Sequence, residues 1–329
     1  MILNRTGIPY REKIGSSEGD DMAKVAVFGS YIMDLTCLSP HIPVTGETVL
    51  AGPFTPGPGG KGFNQAVAAR RTGTEVSFMT KIGKDIFNQF AKGAFTRFGI
   101  PADYLLEAAG SQTGIALIIV DKSTGANVIA VSPEACNELT AEEVRENSSL
   151  FNGADVFLTQ FESNIQATEE AIRIAHEKGL KVILNPAPIQ GHSEEIFRFV
   201  DYLIPNEIEA EELTGIRIAD TETAAKASEK LERLVKTVIL TLGDKGVYCS
   251  AVSEEIIPIC KVDTVDTTGA GDAFAGIFAS YLARGCELKE AVYRALTGAA
   301  LSTTRFGTSP SMPAEAEIET LYKERFGVI

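Results

Sequence analysis

The 329-residue chain has only three histidines, His41, His176 and His192, too few and too scattered to form a zinc constellation. Its five cysteines (Cys37, Cys136, Cys249, Cys260, Cys286) include no CxxC pair, which argues against a disulfide framework and fits reduced, packed thiols. No apolar run reaches the roughly 18 residues of a membrane helix, and the N-terminus lacks the basic-then-apolar layout of a secretory signal. A basic surplus is missing too: 30 Lys and Arg stand against 44 Asp and Glu, for a net charge of −14. That balance repels phosphate polymers and anionic bilayers, so neither nucleic acid nor a membrane is expected as a partner, and the chain reads as cytoplasmic. A single nucleotide remains compatible, because backbone amides and a metal ion bind phosphate inside an acidic protein.

What is present is a hydrophobic content of 44%, ample for a large core. Residues 1–21 are polar and aperiodic and read as a disordered leader; MAKVAVFGS (22–30) resembles a start followed at once by a buried strand. Short apolar runs then alternate with amphipathic stretches: VAVFG, NQAVAARRTG, EVSFMTKIG, IFNQFAKGAFTRFG, and later ADVFLTQ, ATEEAIRIAHEKG, KVILNPAP, DYLIPN, a helix around 220–235 and TVILTLG (237–243). This alternation predicts an α/β fold, a doubly wound, mostly parallel central sheet flanked by helices. Residues 37–58, rich in Pro, Gly and Thr, and the hairpin-like 113–132, with turn chemistry in DKSTGAN, predict a small β lid. The core is accordingly assigned to 22–36, 59–112 and 133–329. The Ala-, Gly- and Thr-rich 294–311 is expected to follow the last long helix and wrap a site.

Two glycine-rich approaches to helices carry chemistry. In VDTTGAGDAFAGIFASYLA (265–283), Gly269, Ala270 and Gly271 would lie at a helix N-terminus with outward amides, a pocket suited to a phosphoryl group gaining negative charge. Asp272, in the first turn, could accept a proton from an attacking hydroxyl. An ordinary aspartate with a pKa of about 3.9 is a weak base, but a loose phosphoryl-transfer transition state asks more for positioning than for basicity. The plain alternative is a capped helix start. GGKGFNQAVAA (59–69) does not fit GxxxxGK[ST], which excludes a P-loop. Its glycines permit close backbone approach, and Lys61 and Asn64 can reach hydroxyl or phosphate oxygens. A tight strand-to-helix turn would read the same.

Together, GGKGFNQA and, roughly 200 residues later, DTTGAGDAF resemble the paired signature of the ribokinase-like carbohydrate kinases, the pfkB family. GETV, TGIALI, LNPAP, PNEIEAEELTG and TLGDKG follow in family order between Met22 and Tyr322. The resemblance implies an ATP-dependent sugar kinase with Asp272 as catalytic base and Gly269, Ala270 and Gly271 as anion hole. It implies that Asn206 and Glu209, matching the NxxE motif, orient phosphate and water-coordinated Mg2+, for which such oxygens are suitable. Thr241, Gly243 and Gly246 in TLGDKG correspond to the ATP-proximal loop, and Asp34, Gly60, Lys61, Asn64 and Glu162 to sugar-contacting positions. A monovalent-cation site for K+ would draw on Asp266 and Thr268 from one loop and Ser302, Gly307 and Ser311 from another. A homodimer through lid strands is expected, since exposed strand edges favour pairing.

Two departures bear on the substrate. Family members that take ribose have asparagine two residues before the aspartate matching Asp34, whereas this chain has Ile32, similar to members that take 2-deoxyribose. An apolar side chain cannot satisfy a hydroxyl there, unless water or a neighbour does. SPEACNEL (132–139) also replaces a GAN triplet near the lid. A phosphosugar substrate would call for lid cations; residues 37–58 have none and 113–132 only Lys122. The expectation is therefore phosphorylation of the primary hydroxyl of a neutral pentose, ribose first. A 2-deoxyribose or nucleoside kinase is the alternative, and a sugar sensor without catalysis is a remote one.

Overall fold

In the computed structural model, which describes residues 22–327, strand β1 (Lys24–Phe28) sends alternate side chains into two cores. Val25 and Val27 join one buried cluster, Ala26 and Phe28 the other, as period-2 geometry requires of a central strand. The chain continues through β2 (Ile32–Ser39), β3 (Phe54–Gly59), α1 (Lys61–Arg71), β4 (Glu75–Gly83), α2 (Asn88–Phe98), β5 (Leu105–Ala108), β6 (Gly114–Asp121) and β7 (Asn127–Ser132). Next come α3 (Ala141–Glu146), β8 (Val156–Gln160), α4 (Ile165–Glu177), β9 (Lys181–Asn185), β10 (Tyr202–Leu203), α5 (Glu207–Thr214) and α6 (Thr221–Leu231). Strands β11 (Thr237–Val238), β12 (Leu240–Thr241) and β13 (Val247–Tyr248) precede α7 (Ala270–Ala283), α8 (Leu288–Ser302) and α9 (Glu315–Phe326). The expected leader at 1–21 lies outside the described residues.

Among the described residues the main sheet has seven strands in the order β11-β10-β9-β8-β1-β4-β5, all pairs parallel. Residues of α1, α2, α7, α8 and α9 pack with Val25 and Val27, and those of α4, α5 and α6 with Ala26 and Phe28, so helices cover both faces. Each fully buried Phe or Leu in these layers contributes about 1.5–3 kcal/mol. Tyr31, Phe63 and Phe95, with ring centroids 5.1 Å and 5.3 Å from Phe63, anchor α1 on the sheet. Strand order reverses around β1, and such a switch point opens a crevice at the carboxyl ends of the strands.

A separate four-stranded sheet, β3-β2-β6-β7, stands off the core; β2 and β6 run parallel and the other pairs antiparallel. Pro56 and Pro58 sit on its edge strand β3, where a missing N–H is tolerated. Its first strand begins at Ile32, earlier than the boundary expected at residue 37, because β2 leaves the core with no turn between. The strand expected over 237–243 is divided. β11 remains in the main sheet, whereas β12 pairs with β13, past the point where Pro205 offers no N–H to extend β10. Residues 294–302, expected to follow the last long helix, belong to α8, and α9 comes after them.

Candidate active site

The loops leaving the carboxyl ends of β1, β8, β9, β10 and β12 converge on the N-termini of α1 and α7. Helix α7 starts from Gly269, whose φ of 81° is the left-handed conformation glycine adopts without strain. The Ala270 N–H turns back to the Thr267 carbonyl oxygen at 3.2 Å. Among the described residues the N–H groups of Gly269, Gly271 and Asp272 have no partner, so the free donors are this set, shifted from the expected Gly269, Ala270 and Gly271. They border a cavity of about 190 Å³ that Lys61, Asn206, Glu209, Thr241 and Asp272 also line.

Asp272 is 7% exposed, and both of its oxygens are engaged: Oδ2 accepts from Asn64 Nδ2 at 2.9 Å and Oδ1 from Gln65 Nε2 at 3.0 Å. Asn64 and Gln65 reach it because α1 and α7 touch through Gly276, where a Cβ would overlap the Gln65 carbonyl oxygen. Lys61 has no carboxylate within 4.0 Å among the described residues. Burial opposes its charge, but the fields of Asp272, Glu162 and Glu209 outweigh this and hold its pKa above the usual lysine value. Glu162 Oε2 accepts from Ser30 Oγ at 2.5 Å and from the Lys61 N–H at 2.8 Å. Its burial still raises its carboxyl, against the opposing pull of Lys61.

Asp34, on β2, accepts from Thr308 Oγ1 at 3.2 Å. Its carboxyl is pushed up to about 7, chiefly by burial, then by the neighbouring charges of Glu162 and Asp272 acting against the Thr308 hydrogen bond. Gly60 caps α1 beside the Ile32 backbone. Asn206 and Glu209 form a reciprocal cap on α5: Asn206 N and Nδ2 donate to Glu209 at 2.8 and 2.9 Å, and Glu209 N donates to Asn206 Oδ1 at 2.9 Å. Burial lifts the Glu209 carboxyl, with the Asn206 amide and Lys61 opposing. Gly243 and Gly246 bracket the short turn between β12 and β13 and lie outside the cavity lining.

Asp266 joins the two loops expected to hold a monovalent cation, accepting from Thr268 N at 2.9 Å and Gly307 N at 3.0 Å. The Thr303 carbonyl oxygen accepts from both Val265 and Asp266 N–H. Ser302 and Ser311 hydroxyls donate to the carbonyls of Ala299 and Thr308 and keep their oxygen lone pairs. Ile32 lies against Gly60 but does not line the cavity: it is 1% exposed and packed with Ala116, Ile118 and Cys136. A larger hollow of about 450 Å³, lined by Tyr31, Met33, Pro56, Phe90 and Arg97 among others, lies elsewhere and lacks the charged cluster of Lys61, Glu162 and Asp272.

Sequence reasoning missed Ser30, Gln65, Gln160, Asn185, Thr308 and Ser309. Gln160 Nε2 donates to Gln65 Oε1 at 2.6 Å, Gln65 Nε2 also donates to Asn185 Oδ1 at 3.1 Å, and Ser309 Oγ donates to Asn64 Oδ1 at 2.6 Å. A glutamine closing the otherwise apolar ADVFLTQ run was the available signal.

A seven-stranded parallel sheet, a smaller four-stranded sheet beside it and a buried aspartate at a glycine-led helix start together suit a sugar kinase. The chain belongs to the pfkB family of carbohydrate kinases, whose match spans residues 22–315. It is 37% identical to the ribokinase of Haemophilus influenzae over 89% of this chain and 96% of that protein. The deoxyribokinase of Salmonella typhi is 32% identical, over 88% and 95%. Among solved structures, Arabidopsis thaliana ribokinase complexed with ribose and ATP superposes with a TM-score of 0.82 at 27% identity, covering 92% of this chain and 99% of that one.

Proposed function

We propose that this protein transfers the γ-phosphoryl group of ATP to the primary hydroxyl of a neutral pentose, ribose first. The observation that carries the reading is the buried Asp272 carboxylate beside three unpaired N–H groups, in a cavity that Lys61 also lines. Asp272 takes the hydroxyl proton while Gly269, Gly271 and the α7 N-terminus stabilise charge on the transferred group. Ala270 shapes this turn. Lys61, Gly60, Asn64, Asp34 and Glu162 hold the sugar, and Thr241, with Gly243 and Gly246, borders the nucleotide. The four-stranded sheet acts as the lid. Its exposed Leu117, Ile129 and Val131 support pairing with a second copy, and the acidic surface supports the absence of nucleic-acid and membrane partners in a cytoplasmic setting.

The donor set also fits the ions. Asn206 donors occupy both Glu209 oxygens, and no cluster of three or more His, Cys, Asp or Glu suited to a metal occurs among the described residues. Glu209 and Asn206 therefore suit Mg2+ held through water rather than directly, the ion neutralising phosphate charge. Asp266, Thr268, Ser302, Gly307 and Ser311 form two oxygen-rich loops already drawn together, a fit for K+.

A coupled ADP-release screen over ribose, 2-deoxyribose, fructose and common nucleosides tests the reading. Ribose should give the highest kcat/KM, and absence of sugar-dependent ADP release would refute it. Ile32 and the deoxyribokinase relative favour 2-deoxyribose as the second reading.

A further inference from the structure

A weakly basic carboxylate works by its aim, and in this molecule two buried amides set the aim of Asp272. Asn64 presents Nδ2 to Asp272 Oδ2 at 2.9 Å only while its Oδ1 faces Ser309 Oγ at 2.6 Å. An ionised carboxylate can only accept, so a flipped Asn64 amide would oppose oxygen to oxygen at Asp272. Gln65 is fixed in the same manner: Nε2 serves Asp272 Oδ1 and Asn185 Oδ1, and Oε1 receives Gln160 Nε2. Gln65, Gln160 and Ser309 are each 0% exposed, and none lines the cavity. They border no part of that cavity, yet Gln65 meets Asp272 directly, Ser309 meets it through Asn64, and Gln160 meets Gln65.

We propose that Ser309 and Gln65 are positioning residues for phosphoryl transfer, each fixing one oxygen of Asp272, Ser309 through Asn64 and Gln65 directly. The proposal rests on Asp272 being the base. Ser309 sits between Gly307 and Ser311, so the rival route for any effect is the cation loop rather than Asn64.

Steady-state kinetics on the full chain, with ribose and ATP at saturating potassium, separate these routes. Ser309→Ala should lower kcat about tenfold, the worth of one lost hydrogen bond to an aligned group, with KM for ATP unchanged. Ser309→Thr, which keeps the hydroxyl, should recover most of the rate. In an Asn64→Ala background, Ser309→Ala should have no further effect, because its only route to Asp272 is gone. Gln65→Leu should lower kcat on its own and combine multiplicatively with Ser309→Ala. A wild-type kcat in Ser309→Ala, a loss that persists beside Asn64→Ala, or a loss erased by more potassium would each overturn the assignment of Ser309. A wild-type kcat in Gln65→Leu would overturn that of Gln65; should this variant not fold, Gln65→Asn, which shortens the reach of the donor, decides by the same kcat readout. Near-normal turnover in Asp272→Asn would instead remove the base reading beneath both. An inactive Asp272→Asn with an unaffected Ser309→Ala would remove only the positioning role of Ser309.

Discussion

Replacing Asp272 with asparagine changes two things that the structure allows to be separated. The amide cannot take a hydroxyl proton, a loss worth ~10²- to 10⁴-fold in kcat for a positioned base. It also cannot accept from both neighbours, because Asn64 Nδ2 and Gln65 Nε2 approach opposite oxygens. One N–H group would meet another: turning Gln65 to relieve this would break its bonds to Gln160 and Asn185, whereas a turned Asn64 would keep Ser309 by donating to its hydroxyl, which can accept as well as donate. Left in place, a buried mismatch of this kind would cost about 1–3 kcal/mol, a fall in Tm of several degrees for a chain of this size; turning Asn64 relieves it, so a Tm close to wild type is expected. Coupled ADP release measures the first effect, thermal unfolding the second, and calorimetric titration with ATP checks that the nucleotide still binds. Turnover within about tenfold of wild type, in a folded and contaminant-free preparation, would refute the assignment of Asp272. A fall in Tm of several degrees would show that Asn64 does not turn over to meet the new amide.

Exchanging a bulky organic cation for potassium at fixed ionic strength should raise kcat, with sodium less effective, because the ion would order the loops that Asp266 joins; equal rates in all three salts would remove the site. With Asp34 raised to about 7, lowering pH through that value protonates the carboxylate and removes its acceptor for sugar hydroxyls, so the sugar KM should rise below pH 7. The same shift has a sign for stability: the folded state holds this proton more tightly than the unfolded one, so the contribution of Asp34 to stability falls as pH rises from about 3.8 to about 7. Asp34→Asn should flatten both profiles, and pH-independent KM values in wild type would contradict the account. Ile32→Asn should move the ratio of kcat/KM for ribose over 2-deoxyribose toward ribose by at most roughly five- to 150-fold. Because Ile32 packs with Ala116, Ile118 and Cys136, no shift in that ratio beside a clear loss of stability would make it a packing residue.

The parallel sheet was legible because buried strands and amphipathic helices have different periods, and KVAVF against KGFNQAVAARR shows both within fifty residues. Asp272 and Lys61 were legible because glycines at helix starts leave a local mark. The supporting polar groups left no such mark: Ser309 and Asn64 meet across 245 residues, Gln65 and Asp272 across 207. Their partners are chosen by packing of helices, which no local pattern in the chain encodes. The division of the 237–243 strand was hidden for a related reason, since it depends on Pro205, just past the end of the neighbouring strand β10.

Gly276 bears on how this site can vary. Helices α1 and α7 meet through a position with no side chain, so the separation between Asp272 and its amides is set by backbone against backbone. Their orientation is set elsewhere, by Ser309 and Gln160. Reach and angle are thus independent settings of one catalytic group: substitutions among the hydrogen-bonding residues turn the carboxylate, whereas only a change in helix contact moves it.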